Sequence, residues 1–523
     1  MILKLLVHKN KFFIFFLFFF SIIVNKHFAD IGVFPLDSFL HFDNGYRILN
    51  GEIPFSDFWI VSGLTNNYIQ AIFFKIFGVN WNSYVLHASL INSLITLSTF
   101  FVLKNFKLET NYCFFYSLLF SLLAYPSSGT PFVDHHSAFF SLLGFYSLLM
   151  AINNHKKIYW VLMPVLMGLA FFSKQVPAAY AILSLTFILI LYSYQNKTID
   201  YLKYSLIGSF LFIFFILILG RLQEININSF FDQYIFYSQT VGSDRFKNFD
   251  FTFRGVIDHF KFIYIASVPL IYVIFIKIFK DKKYFKTERF YISLSILLFT
   301  ICLILHQLLT KNQTFVFFVI PLLTAFSHIS IKNTQLKNKN YITLIIILFC
   351  VFATAKYHLS YNEKRKFHEL ANVNLELSTS ANKIHNKLNG LNWISPEFGK
   401  NSLEEIDSVN QIQSYIKKDK RKKMVLTHYS FFSAILGEKL FSPSFAYTLD
   451  GTTHPIKGNQ YAAKYKQLII DIIKKNNIKA IYIAGPLENK HIYYFFNKNC
   501  FNEVPIFEHL TIYELNNCKE ING

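Results

Sequence analysis

The sequence predicts a polytopic α-helical membrane protein that crosses the bilayer about eleven times and ends in a soluble α/β domain. The chain has 523 residues, of which 53% are hydrophobic and 16% charged, and a single soluble core cannot bury so much apolar surface. Apolar segments recur between short basic clusters up to about residue 355. Beyond that point the composition turns polar, and strand-like and helix-like patterns alternate.

The net charge of +20 is distributed in a way that argues against nucleic-acid binding. The bases fall in short clusters between apolar stretches and do not line one face of a soluble domain. Membrane lipids with anionic headgroups are therefore the expected partners of these clusters, and no nucleic-acid partner is expected.

Eleven apolar segments are predicted to span the membrane, although several are shorter than the roughly 20 residues that a perpendicular helix needs. We expect their ends to recruit flanking Tyr, Trp or Lys side chains. The first segment could instead be a signal peptide, because lysines precede a short apolar run. The predicted spans are residues 12–24, 84–103, 112–125, 137–152, 158–172, 178–194, 204–219, 262–278, 291–309, 315–329 and 341–355.

The basic clusters also predict the orientation of the chain. They fall in every second connection, as in the run from Lys280 to Arg289, and the positive-inside rule places these connections in the cytoplasm. The longer connections, residues 25–82 and 220–261, then face outward. We name them the first and second outer loops.

An odd number of spans places the N-terminus in the cytoplasm and the C-terminal tail outside. The sequence therefore predicts a multi-pass membrane protein with two domains. Residues 1–355 form the transmembrane domain, and residues 356–523 form an extracytoplasmic α/β domain.

The first outer loop reads FPLDSFLHFDNGYRILNGEIPFSDFW and continues into the amphipathic stretch NNYIQAIFFKIFG. Asp37 stands ten residues before Arg47, and the segments ILNGEIPFSDF and FFKIFG follow. This pattern resembles the first loop of the GT-C superfamily of membrane glycosyltransferases. The resemblance is to the relatives of protein O-mannosyltransferases and aminoarabinose transferases (the glycosyltransferase family 39 type), which use polyprenyl-phosphate sugars. GLAFFSKQ, at the end of the fifth predicted span, is a second motif-like match.

The resemblance implies that Asp37 is the catalytic base of the transfer. An acceptor hydroxyl must lose its proton as it attacks the anomeric carbon, and a partly desolvated carboxylate at the membrane surface can have its pKa raised towards the working range. Helix capping remains an alternative, because Asp before an apolar run is a common N-cap.

Three further residues of the first outer loop are candidates for substrate binding: Arg47, Asp43 and Asp57. Asp43 lies six residues beyond Asp37, which on a helix places it on a different face, so the two carboxylates need not share one site. Asp57 matches a position of the family pattern, and a turn-forming role after Pro54 is equally open.

The connection YPSSGTPFVDHHSAFF places Asp134, His135 and His136 directly before the fourth predicted span. The resemblance implies that Asp134 is a second catalytic acid of the cavity, and a helix cap is the alternative. A metal at His135 and His136 is less favoured, because adjacent side chains diverge and no third ligand has suitable spacing. No cofactor is therefore expected to be required, and a divalent metal is the disfavoured alternative.

Two lysines interrupt connections that are otherwise poor in bases, Lys174 in GLAFFSKQVP and Lys311 in HQLLTKNQTF. We expect them to bind the polyprenyl phosphate, where negative charge grows as the sugar leaves. Snorkelling alone is the alternative for Lys174. Arg245 and Arg254 are weaker phosphate candidates, and His306 is interpreted as an interfacial residue.

The tail predicts a small α/β domain with a partly parallel sheet. KMVLTHY, KAIYIAG and PIFEHLTIYEL predict strands, and SVNQIQSYIKK and AAKYKQLIIDIIKKNN predict amphipathic helices. The lead-in EKRKFHELANVNLELSTSANKIHNKL is expected to be helical. Cys500 and Cys518 form a disulfide or stay free thiols, and both alternatives are open.

The resemblance and the predicted topology together imply an inverting glycosyltransferase of the bacterial inner membrane. It moves a sugar from a polyprenyl-phosphate donor to an envelope glycan, lipid or protein acceptor on the outer, periplasmic side. A transporter or flippase of lipid-linked glycans is the alternative from another class, but the ionisable mid-span residues and inverted repeat expected of it are not evident. A glycan polymerase or ligase would place its chemistry in a large late outer loop, whereas here the informative loop is the first.

Overall fold

The structure, a computed structural model, describes residues 2–125, 129–247, 252–310, 315–366, 369–486, 492–493 and 495–516. Lys311 and Cys518, for which the sequence carries predictions, lie outside the described residues. Within these ranges the chain is mostly helical. The α-helices are α1 (Ile2–Ala29), α2 (Pro35–Leu49), α3 (Leu64–Phe77), α4 (Trp81–Asn105), α5 (Thr110–Ala124), α6 (Val133–Asn154), α7 (Lys157–Ser173), α8 (Gln175–Gln195), α9 (Asp200–Leu222), α10 (Ile227–Phe230), α11 (Ser238–Lys247), α12 (Lys261–Lys280), α13 (Glu288–Thr310), α14 (Val319–Lys332), α15 (Lys339–His358), α16 (Ser402–Lys418), α17 (Phe432–Leu436) and α18 (Ala462–Asn476).

Eight helices in the described part of the chain are long and apolar enough to cross a membrane: α1, α4, α6, α8, α9, α12, α13 and α15. Each coincides with a predicted span. The other three predicted spans coincide with the shorter apolar helices α5, α7 and α14. The polytopic helical fold is therefore confirmed, whereas the count of eleven spans stays a prediction.

Helix α6 is the innermost of these helices, because 89% of its most apolar 18-residue segment is buried inside the protein. Only 17% of the corresponding segment of α9 is buried, as expected of a helix that faces lipid. Gly208 allows α9 to pack closely on α7, because a Cβ atom there would lie 2.1 Å from the carbonyl oxygen of Val161. The central position of α6 matters for function, because Asp134 lies in its first turn.

The first outer loop is largely helical and packs between the bundle and the tail. The amphipathic stretch forms α3, as predicted, and α3 packs against α2. A β-bridge pairs Trp59 with Ser444 of the tail, and another pairs Ile31 with Asn392. The apolar side chains of the loop and the tail therefore share continuous hydrophobic cores.

The tail contains the predicted α/β elements. The strands are β1 (Thr379–Ser380), β2 (Asn392–Trp393), β3 (Lys423–Thr427), β4 (Ala480–Ala484), β5 (Phe501–Phe507) and β6 (Leu510–Leu515). In the larger sheet the order is β3-β4-β6-β5, with β3 parallel to β4 and the remaining pairs antiparallel. The partly parallel sheet is thus confirmed, and the predicted domain boundary at residue 355 falls near the end of α15.

Two local predictions for the tail are wrong. PIFEHLTIYEL is not one strand, because it contains the turn between β5 and β6, and that turn carries no Gly, Pro or Asn. The lead-in from Glu363 to Leu388 is not an α-helix in its described residues. It forms short 3₁₀ turns and β1, because side chains such as those of Asn374, Ser380 and His385 accept hydrogen bonds from nearby backbone N–H groups.

The cysteines differ in state between the two parts of the chain. Cys113, Cys302 and Cys350 are buried free thiols in the helical bundle. Cys500, in the tail, is disulfide-bonded. A disulfide in the tail agrees with the extracytoplasmic location that the sequence predicts for it.

Candidate active site

A cluster of charged side chains lies at one end of the helical bundle, centred on Asp134. The carboxylate, 2% exposed, accepts hydrogen bonds from the Nζ of Lys174 at both oxygens, each at 2.8 Å. Its Oδ1 also lies 2.8 Å from the Nε2 of His306 on α13. The cluster therefore joins α6, the junction between α7 and α8, and α13.

Lys174 is held in an extended backbone conformation between α7 and α8. The hydroxyl of Ser137 donates to its carbonyl oxygen at 2.9 Å. The next residue, Gln175, donates from its Nε2 to the carbonyl oxygens of Val61 (2.8 Å) and Tyr234 (2.6 Å). The lysine is thus fixed at the point where the bundle meets both outer loops.

The first outer loop approaches this junction closely at Gly63. Its N–H donates to the carbonyl oxygen of Ser173 at 2.7 Å. Gly63 has φ +78°, and a Cβ atom there would lie 2.4 Å from Cε1 of His41 on α2. Only glycine fits this position, and its fit brings the beginning of α2 towards the charged cluster.

Asp37 lies in the first turn of α2 and is half-buried. Burial raises the pKa of its carboxyl, the negative charge of Asp134 also raises it, and the positive charge of Lys174 lowers it, which together place the pKa at about 6. Asp37 therefore lies within electrostatic range of Asp134 and Lys174, two other residues that the sequence singled out.

The capping alternative for Asp37 does not match the geometry. The N-cap of α2 is Phe34, Pro35 opens the helix, and no side chain makes a capping hydrogen bond. The N–H of Phe34 is bonded instead to the hydroxyl of Ser38 at 3.1 Å. Among the described residues the carboxylate of Asp37 has no hydrogen-bond partner, so it is free to meet a ligand.

Asp134 likewise does not act as a helix cap. It is inside the first turn of α6, after the N-cap residue Phe132, and its oxygens are used by Lys174 and His306. His306 was expected to be merely interfacial, and the structure gives it a direct contact with the predicted catalytic acid. The only signal in the sequence was a histidine near the end of an otherwise apolar span.

His135 and His136 both contact Tyr125. The ring of His135 stacks on that of Tyr125, with centroids 4.6 Å apart. The Nδ1 of His136 is hydrogen-bonded to the Tyr125 hydroxyl at 2.9 Å, and its Nε2 lies 3.0 Å from the Nε2 of His87. Within the described ranges no group of three or more His, Cys, Asp or Glu side chains is arranged to hold a metal ion. The absence of a required cofactor stays a prediction.

Asp43 and Arg47 face away from the cluster and bind the tail. Asp43 accepts a hydrogen bond from the N–H of Ala434, in the first turn of α17, at 2.9 Å. The guanidinium of Arg47, 2% exposed, donates to Glu52 at 2.9 Å and to the carbonyl oxygens of Ser442 and Ser444 at 2.7 and 3.1 Å. These contacts give both residues a structural role, and their predicted role in substrate binding stays a prediction.

Asp57 forms the turn that the sequence allowed as an alternative. One carboxylate oxygen accepts from the N–H of Ile53 at 2.9 Å, and the other lies 3.0 Å from the Nζ of Lys475 on α18. Asp57 therefore also links the first outer loop to the tail, and its predicted substrate contact is likewise untested.

A cavity of about 560 Å³ lies between the second outer loop, the end of α13 and the tail. Arg245 of α11 lines it together with Lys457 of the tail and Thr310 of α13, whereas Asp37, Asp134, Lys174 and His306 do not line it. The hydroxyl of Thr310 donates to the carbonyl oxygen of His306 at 3.0 Å. The other weak phosphate candidate, Arg254, is exposed and does not line this cavity.

Comparisons with known proteins show which family and which folds the chain is similar to. Residues 62–219 match the family described as dolichyl-phosphate-mannose-protein mannosyltransferase. The matched segment runs from the first outer loop to α9 and includes Asp134 and Lys174. No curated protein matches the sequence.

Solved structures extend the comparison to the whole chain. ArnT from Cupriavidus metallidurans bound to undecaprenyl phosphate has a TM-score of 0.52 at 10% identity, covering 94% of this chain and 96% of its own. ArnT from Cupriavidus metallidurans in the apo state has a TM-score of 0.47 at 11% identity, covering 94% of this chain and 95% of its own. The Archaeoglobus fulgidus oligosaccharyltransferase complex with Zn and sulfate gives 0.42 at 10% identity, with 89% and 67% covered. The similarity to ArnT bound to undecaprenyl phosphate shows a shared fold.

Proposed function

We propose, from the premise that the chain has the fold of the GT-C membrane glycosyltransferases, that it is an inverting glycosyltransferase. Its donor is a sugar linked to a polyprenyl phosphate, and its acceptor is a hydroxyl group of an envelope glycan, lipid or protein. The reaction takes place at the outer surface of the bacterial inner membrane, at the end of the bundle that holds Asp37 and Asp134.

One observation carries this proposal. Of the five acidic residues in the first outer loop, all of which are described, Asp37 alone has a carboxylate without a hydrogen-bond partner. Asp30 binds Lys26 and Trp81, and Asp43 binds Ala434. Glu52 binds Arg47, and Asp57 binds Ile53 and Lys475. An unpaired carboxylate with a raised pKa, beside a fixed lysine, has the properties of a general base near neutral pH.

The charges of the site support a single-displacement reaction. The acceptor oxygen forms a bond to the anomeric carbon while the bond from that carbon to the phosphate oxygen breaks, and the bonding electron pair leaves with the phosphate. Asp37 takes the hydroxyl proton. Lys174 directs two of its three N–H donors to Asp134, which orients the ammonium group and leaves one donor for a phosphate oxygen.

The cavity between the second outer loop, α13 and the tail is the candidate place for the acceptor. Its volume of about 560 Å³ lies within the usual range of small-ligand sites, and its walls include tail residues as well as α11 and α13. The tail would then help select the acceptor. The ionisable residues of the site lie at helix ends, as expected of an enzyme working at the membrane surface more than of a transporter.

Replacing Asp37 with Asn tests the proposal most directly. Purified protein in lipid nanodiscs is incubated with polyprenyl-phosphate sugars, and sugar transfer or release is measured. We expect Asp37→Asn to lower kcat/KM by about 10²- to 10⁴-fold with little change in thermal stability, because the carboxylate removed has no protein partner. In the wild type, kcat/KM should fall about tenfold per pH unit below about pH 6, where Asp37 becomes protonated.

Asp43→Asn is the matched control, because Asp43 lies on the same helix and its pKa is likewise raised to about 6 by burial. It should keep the turnover per folded molecule and the acid limb of the pH profile. Full activity of Asp37→Asn would remove Asp37 as the base. A wild-type protein inactive on every polyprenyl-phosphate sugar would contradict the proposed function itself.

A further inference from the structure

Among the residues that the structure describes, the buried Arg365 has no hydrogen-bond partner. It lies two residues after the candidate span Lys339–Glu363, is 1% exposed, and none of its three guanidinium nitrogens makes a hydrogen bond within that part of the chain. The nearby carboxylate of Glu363 lies 3.4 Å from the Nε2 of His358. A buried guanidinium left unpaired is strongly unfavourable, so this group is expected to bind an anion that the chain does not supply.

Arg365 is connected to the first outer loop through the turn that follows it. Its carbonyl oxygen accepts from the N–H of Leu370 at 3.2 Å, and Leu370 packs on Gly32, at the start of the first outer loop. The charge of Glu369, in the same turn, contributes to the raised pKa of Asp37. On the other side, Asn362 donates to the carbonyl oxygen of Leu122 at the end of α5, at 3.4 Å.

A ligand can reach the guanidinium without unfolding the turn. Lys364 and Lys366, on either side of Arg365, are exposed, so the backbone runs at the protein surface here. A rotamer change of the long arginine side chain then brings its head to that surface, on a timescale far shorter than turnover. The two lysines also attract anions to this point.

We propose that Arg365 binds a phosphate group carried by a lipid. The planar guanidinium matches the oxygens of a phosphate with two parallel hydrogen bonds, and the residue lies two positions after the candidate span Lys339–Glu363, where lipid phosphates are expected. The inference rests on the proposed function insofar as the lipid is the polyprenyl-phosphate donor. The phosphate of a membrane phospholipid has the same chemistry and is the second source to be distinguished.

The experiment compares wild-type protein with Arg365→Met, Arg365→Lys and the exposed neighbour control Lys364→Met. The full chain is placed in phosphatidylcholine nanodiscs, and the apparent Kd of undecaprenyl phosphate is measured from the shift of the thermal unfolding midpoint. We expect Arg365→Met to bind at least about tenfold more weakly, Arg365→Lys to fall between, and Lys364→Met to stay within about twofold of the wild type.

The stability of the variants without ligand gives an independent signature. Methionine keeps the length of the side chain and removes an unpaired buried charge, so Arg365→Met should unfold at the same or a higher temperature than the wild type. Weaker lipid binding by a more stable protein cannot come from misfolding. If Arg365→Met does misfold, the binding by Arg365→Lys decides: weaker binding than the wild type in a folded protein supports the proposal, and affinity equal to that of the wild type contradicts it.

Two further probes identify the source of the phosphate. If Arg365→Met weakens the binding of undecaprenyl phosphate alone, the residue binds the donor. If it weakens the interaction with phosphatidylglycerol nanodiscs equally, the residue binds lipid phosphates in general. The proposal is overturned if Arg365→Met binds all probes as tightly as the wild type does. It is also overturned if the substitution weakens the binding of inorganic phosphate only. Binding is measured without turnover. A failure of this inference can therefore be distinguished from a failure of the proposed function, which would appear as an absence of sugar transfer.

Discussion

The two acidic side chains of α2, Asp37 in its first turn and Asp43 near its middle, lie in contrasting surroundings. Asp37, in the first turn, faces the charged end of the bundle, and among the described residues its carboxylate has no hydrogen-bond partner. Asp43 and Arg47, further along the same helix, bind backbone groups of the tail. Six residues on a helix correspond to faces about 120° apart, so the two carboxylates cannot point into one site.

The difference shows how one short helix serves two purposes. The side bound to the tail fixes the helix by buried hydrogen bonds, and this allows the other side to present an unpaired carboxylate in a raised-pKa environment. Changes on the tail side should therefore alter stability, and changes at the bundle side should alter turnover. Three substitutions test this division, from the largest expected effect to the smallest.

Arg47→Met should produce the largest loss of stability. It leaves Glu52 buried without its cation and two carbonyl groups of the tail without a donor, which is expected to cost about 3–5 kcal/mol. The thermal unfolding midpoint and proteolytic release of the tail measure the loss. Turnover per folded molecule should stay within about threefold of the wild type.

The double variant Arg47→Met with Glu52→Met is the control for Arg47. It should recover part of the stability, because no unpaired charge remains. A large fall in turnover with unchanged stability would instead support the substrate-binding role that the sequence predicts for Arg47.

Lys174→Met should act mainly on catalysis. Loss of the donor aimed at the leaving phosphate is expected to lower kcat/KM by about 10²- to 10³-fold, while Asp134 retains only His306 as a partner. The double variant Lys174→Met with Asp134→Asn should regain stability without regaining activity. Recovery of activity as well would show that Lys174 serves only to neutralise Asp134, and the distinction between the two regions would no longer hold.

Lys475→Met should have the smallest effect. The side chain is 71% exposed, and its ion pair with Asp57 at 3.0 Å is open to solvent and salt. We expect a loss of stability below about 1 kcal/mol and no change in transfer. Asp57→Ala should be more destabilising, because Asp57 also accepts the N–H of Ile53. A loss of transfer in either variant at unchanged stability would favour the predicted substrate contact of Asp57.

Much of the fold could be predicted from the sequence. Each predicted span corresponds to an apolar helix, because whether a segment favours lipid depends on its own composition over about 20 residues. The amphipathic α3 and α18 and the strands β3 and β4 follow from the same kind of local pattern. The lead-in to the tail could not be predicted in this way, because its Ser, Asn and His side chains bind the backbone locally and compete with the helix.

The sequence by itself determined that this chain is a membrane protein with a polar tail, and it singled out Asp37, Asp134 and Lys174. Only the tertiary structure decided which acidic residue of the first outer loop stays unpaired, that His306 contacts Asp134, and that Arg365 is buried without a hydrogen-bond partner among the described residues. The reason is physical. Hydrophobicity is a property of a segment, whereas a hydrogen bond requires two groups to meet, and the partners of Arg47 in the tail lie almost 400 residues further along the chain.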